Sequence, residues 1–189
     1  TSEDNTTDAT SAIYTRACGG NKYTEMYASL CSYLAAKQDL FFGKEFKKNQ
    51  FHRSLLIICE EVFRKVPADE IESEEKINLR KKAIGNMRFL GELYMKKLIT
   101  TRIALEIIGS LLEEHDDDRI EGACEFILNC ADKIRDINDE KLNQILARLE
   151  ELKEESSARI KFKIMDIFDA KSAGWNVRKL EAAPTKISK

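Results

Sequence analysis

From Asn21 to Gly174, apolar residues recur at spacings of three and four almost without a break. That period confines the chain to amphipathic helices packed on helices. Only two prolines and eight glycines interrupt 189 residues, too little turn chemistry for an all-β fold. Charged residues at 34% and apolar ones at 43% suit a globular domain rather than a disordered chain. The net charge of −2 supplies no global attraction to nucleic acid.

Segment 1–20 is rich in Thr, Ser, Asp and Asn and closes on Gly19-Gly20, so it is expected to be disordered. The helical body is expected over 21–174 and a polar tail over 175–189. Within the body, a first helix over about 22–37 places Tyr23, Met26, Tyr27, Leu30, Cys31 and Leu34 on one face. A second runs over about 51–65, with Pro67 blocking its extension. Ser73 caps a long third helix, about 74–97, whose Glu74 and Glu75 suit its positive end. A fourth begins after Thr100 or Thr101, a fifth at the Asp116–Asp118 cap, a sixth at Asn138 and a seventh after Ser156 or Ser157. Helices five to seven recur at about 20 residues, so a pair spans about 40, the length of a HEAT-type repeat.

In the third helix, Gly85 and Gly91 each cost roughly 1 kcal/mol against Ala. A helix that accepts both costs is expected to lie with its backbone close to a neighbour. Its apolar stripe is Leu79, Ala83, Met87, Leu90, Tyr94 and Leu98.

Catalytic chemistry finds little support. His52 and His115 are the only histidines, and neither sits in a metal or nucleophile pattern. The acids Asp116–Asp118 lack the alternating ligands and glycine of a calcium loop and read as a helix cap. No phosphate-binding loop is present, so neither a cofactor nor a metal is expected. Cys18, Cys31, Cys59, Cys124 and Cys130 form no C-x-x-C pair, which argues for reduced thiols, and Cys31, Cys59 and Cys124 on apolar stripes are expected to be mostly buried. No apolar run reaches the roughly 20 residues needed to span a bilayer. A secretory leader is not expected, and a chain starting without Met is expected to be a piece of a longer protein.

Charge is asymmetric. Lys76 to Arg102 holds eight basic residues and one acid, with Arg80, Lys81, Lys82, Lys96 and Lys97 off the apolar stripe. Such a patch is either a solvated face or a salt-sensitive RNA contact. Trp175, the only tryptophan, either anchors a partner or folds back to cap the last helix.

Four strings carry a family resemblance: Tyr27-Ala28-Ser29-Leu30-Cys31; Phe51 to Cys59; Gly85-Asn86-Met87-Arg88-Phe89-Leu90-Gly91-Glu92-Leu93-Tyr94; and Ser157 to Phe162 with Met165, Asp166 and Trp175. In order and spacing, residues 22–178 resemble the middle domain of eukaryotic translation initiation factor 4 gamma. The resemblance implies an all-α, right-handed α-α superhelix of HEAT-like repeats, about seven helices here. The first three of the family's ten are expected to be absent or replaced by segment 1–20. It further implies a cytoplasmic, non-enzymatic translation-initiation scaffold. Its partners would be the DEAD-box RNA helicase eukaryotic initiation factor 4A, with mRNA and other initiation factors as further candidates. On matching positions, Arg159, Phe162, Asp166 and Trp175 are implied as helicase contacts. The resemblance also implies Leu93 as a family position whose loss disturbs helicase binding, and its place on the third helix is expected near the packed surface. The competing readings are an RNA-binding module using the basic third helix, or an adaptor of the same fold in mRNA decay, splicing or nuclear cap binding.

Overall fold

A computed structural model describes residues 2–19, 23–37, 53–55, 57–59, 74–113 and 115–175. Among these there is no strand. The elements are α1 (Ser2–Cys18), α2 (Thr24–Ala36), α3 (Glu74–Met95), α4 (Thr101–Leu111), α5 (Asp117–Lys153) and α6 (Ala158–Ser172). Residues 53–55 and 57–59 are also helical. The Pro67 stop, the Ser73 cap, His52 and the tail after Trp175 lie outside the described residues. Two compact units, Thr1–Ile107 and Ile108–Lys189, divide the chain within α4.

The first unit corrects the expectation of disorder over 1–20. Ser2–Cys18 is helical, and Thr10, Tyr14 and Ala17 at intervals of four and three are buried. Polar composition hid this helix, because a narrow seam of small and aromatic residues suffices when neighbours enclose it. Helices α1, α2 and α3 pack against one another. The buried row of α2 is Thr24, Ala28 and Cys31, not the bulkier row expected from its sequence. Tyr23, Met26, Leu30 and Tyr33 are exposed instead. Small side chains let α1 approach closely, and the Thr24 hydroxyl donates to the Ala17 carbonyl at 3.1 Å.

Helix α3 is the centre of this unit. Every residue from Gly85 to Tyr94 except Arg88 is buried, so the second half of the helix has almost no solvent face. Phe89, off the predicted stripe, is fully buried and meets Tyr14 edge-on at 6.2 Å between centroids. The Asn86 amide nitrogen donates to the Cys59 carbonyl at 2.8 Å across 27 residues, tying α3 to the helical residues 57–59. Helix α3 ends in a Schellman turn. Lys97 N–H donates to Tyr94 O and Leu98 N–H to Leu93 O, both at 2.9 Å. Lys97 adopts the left-handed φ of 65° that such an end requires.

In the second unit, Asp116 caps α5 by accepting from Arg119 N–H at 2.8 Å. Asn138 breaks α5 with φ −153° and ψ 76°, and its side chain accepts from Lys141 N–H at 3.1 Å. It is therefore the cap expected for the sixth predicted helix, sited at a kink rather than in a loop. Ile120, Cys124, Ile127, Ile134, Leu142, Leu146 and Leu149 of α5 are buried. So are Ile160, Ile164, Ile167 and Ala170 of α6, which packs on α5.

Candidate functional site

The buried row of α6 recurs at four, three and three residues, which directs the opposite face to solvent. Phe162 there is 66% exposed and Met165 is 49% exposed, with exposed Asp166 and Asp169 beside them. Two large apolar side chains one turn apart, rimmed by acids, form a compact exposed apolar patch.

One flank of α6 is held by charge. Arg159 makes ion pairs with Glu121, through Nη1 and Oε2, and with Asp118, through Nη2 and Oδ1 at 3.4 Å. Lys163 Nζ lies 3.9 Å from Glu125 Oε2. The carboxylates are mostly enclosed, with Asp118 13% and Glu121 12% exposed.

The C-terminal end of α6 is a second Schellman turn. Gly174 N–H donates to Lys171 O at 2.9 Å, and Trp175 N–H to Ala170 O at 2.7 Å. Gly174 takes the left-handed φ of 70°, reversing the chain so that Trp175 returns to the helix and is only 9% exposed.

The basic side of α3 is spread out rather than focused. Lys81, Lys82 and Lys97 are exposed and Arg80 is half-buried. Lys96 is paired with Glu25 of α2 at 3.2 Å.

Residues 1–173 match the MIF4G domain. The chain belongs to the MIF4G-domain family.

Among relatives of this MIF4G chain, eukaryotic translation initiation factor 4G of Triticum aestivum is 29% identical over 205 residues, covering 96% of this chain and 14% of the relative. Its counterpart in Cucumis melo is 31% identical over 207 residues, covering 96% and 11%. Eukaryotic translation initiation factor 4 gamma 3 of Homo sapiens is 25% identical over 205 residues, covering 93% and 13%. The chain thus spans about a seventh or less of these relatives' lengths. The match includes the segment expected to be disordered, in keeping with α1 as a helix of the domain. The all-α, HEAT-like class expected of a MIF4G chain is the class observed.

Of the predicted site residues, α6 brings Arg159, Phe162 and Asp166 together on its outer and flanking surface. Trp175 follows the Schellman turn at Gly174 and is buried, whereas Phe162 is exposed. Leu93 is fully buried in the core of the other compact unit. Met165, named in the closing string but given no role there, lies three residues after Phe162, and helical spacing puts it on the same face. Asp118 and Glu121 lie 41 and 38 residues before Arg159, and no sequence signal links them.

All five cysteines are free and buried. Burial pushes the Cys18 thiol up to about 11 and those of Cys31 and Cys124 up to about 12; Cys59 is also raised. Among the described residues no group of His, Cys, Asp and Glu is arranged to hold a metal. No described helix is long and apolar enough to cross a membrane.

Proposed function

We propose that this MIF4G chain is a translation-initiation scaffold that acts by binding rather than catalysis. Its α6 surface docks the DEAD-box RNA helicase eukaryotic initiation factor 4A. The observation that carries this reading is the exposed Phe162–Met165 pair on a helix whose other face is wholly core. An exposed Phe costs solubility without serving the fold, and a partner pocket is its natural complement. The initiation-factor names of the relatives support initiation over mRNA decay, splicing or nuclear cap binding. Asp166 at the rim supplies polar registration. Trp175 and Leu93 serve binding only by keeping the helices in place.

RNA is a secondary partner in this reading, held by Lys81 and Lys82 with Arg80 and Lys97 in support. Lys96 contributes less because Glu25 already engages it. Such contacts follow the phosphate backbone and weaken with salt. The protein works in the cytoplasm, where initiation factors meet.

Calorimetric titration with the helicase tests the proposal. Phe162→Ala is expected to cost about 2 kcal/mol of binding, as a hot-spot residue does, with the helical content unchanged. Equal affinity for the wild-type and Phe162→Ala chains rules out the α6 surface. For RNA, changing Lys81 and Lys82 to Glu should weaken binding to all sequences alike and flatten its salt dependence.

A further inference from the structure

We infer that Arg159 is a positioning residue for the α6 surface. Bound to Asp118 and Glu121, it narrows the roll that the buried row of α6 leaves open, holding Phe162 and Met165 in register for the partner, and it does not itself touch the partner. The inference rests on the docking role proposed for α6.

Three observations carry it. Arg159 and Lys163 lie on one flank of the buried row Ile160, Ile164 and Ile167, whereas Phe162 and Met165 lie opposite that row. The acids they meet, Asp118, Glu121 and Glu125, follow the same helical spacing along the first three turns of α5. Two bases on one helix therefore engage three acids on the next, and the pairing is directional. Burial of the isoleucine row decides which face of α6 turns to α5. The forked guanidinium adds a directional contact on one flank that narrows the remaining roll.

The enclosure of the acids argues against Arg159 as a direct contact. Asp118 and Glu121 are each nearly nine-tenths covered, and Arg159 is the cation that faces both. Contact between Arg159 and a partner would have to break both of these ion pairs, whose carboxylates are more enclosed than Arg159 itself. Arg159 is itself 45% exposed, so its pairs contribute modestly to stability. What they supply is geometry.

Helicase affinity and melting temperature are measured for the wild type, Phe162→Ala, Arg159→Gln, the paired change Asp118→Asn with Glu121→Gln, and the swap Arg159→Glu with Glu121→Arg. Arg159→Gln and the neutral pair are each expected to lose about tenfold in affinity with little change in melting temperature. The swap is expected to recover to within about threefold of wild type. The neutral pair decides most directly, because it keeps Arg159 and frees it. Affinity at or above the wild-type value in that variant overturns the inference, as does full affinity for Arg159→Gln. Where the neutral pair melts too low to bind, a folded swap that fails to recover overturns it instead. Binding that needs Phe162 but ignores the Arg159, Asp118 and Glu121 changes defeats this inference alone. A wild-type chain that does not bind, or binding indifferent to Phe162→Ala, defeats the docking role of α6 and the inference with it.

Discussion

The backbone of Gly85 lies directly against that of Cys18: a Cβ at position 85 would sit 2.3 Å from the Cys18 carbonyl oxygen. Backbone cannot step aside as a flexible side chain can. The roughly 1 kcal/mol that glycine costs inside a helix is thus offset by the contact between α1 and α3. Gly85→Ala should separate the two helices and cost about 3 kcal/mol, more than overpacking at a yielding side chain. Urea unfolding measures this, and a loss below about 1 kcal/mol would mean that α1 slides aside at little cost.

The two Schellman turns differ in the residue at the left-handed position, Lys97 after α3 and Gly174 after α6. A side chain there meets a steric penalty of about 1 kcal/mol that glycine avoids. Lys97→Gly is therefore expected to raise stability by about 0.5–1 kcal/mol, and Gly174→Ala to lower it by about 1 kcal/mol. Denaturant midpoints moving in the same direction for both variants would contradict this account.

Trp175 and Phe162 should separate cleanly by their effects. Removing the buried indole should destabilise the second unit by about 3 kcal/mol, whereas Phe162→Ala should leave thermal unfolding nearly unchanged. Hydrogen exchange localises the first effect, with faster exchange expected for α6 amides in Trp175→Ala. A Trp175→Ala protein with unaltered α6 protection would place the indole outside the fold's support.

The buried thiols predict how stability depends on pH. The ordinary thiol value is 9.0, and Cys124 is pushed up to about 12, chiefly by desolvation. Between those values the unfolded chain releases the proton and the folded chain keeps it, so stability falls as pH rises. The stabilisation is complete below about pH 9 and is lost progressively up to about pH 12. Cys31 acts in the same sense. Cys124→Ala should flatten the decline by roughly 1 kcal/mol per pH unit relative to wild type. Parallel curves for the two proteins above pH 9 would exclude this contribution.

Much of this structure was legible in the chain itself. Helical period, the Asp116 and Asn138 caps and the buried cysteines follow from side-chain chemistry acting within a turn or two, which sequence records directly. Gly85 in α3 announced a close neighbour but could not say that the neighbour was Cys18. The helix over Ser2–Cys18 and the inward Thr24–Ala28–Cys31 row of α2 were not legible, because burial depends on what packs there rather than on hydrophobicity alone. The same holds for function. The sequence placed Arg159, Phe162, Asp166 and Trp175 in one closing motif. Only the fold separated them, turning Phe162 outward, binding Arg159 to acids some 40 residues earlier and folding Trp175 inward through the reversal at Gly174. Local conformation is set by neighbouring residues, whereas exposure and ion pairing are set by contacts between distant ones, and tertiary packing decides those.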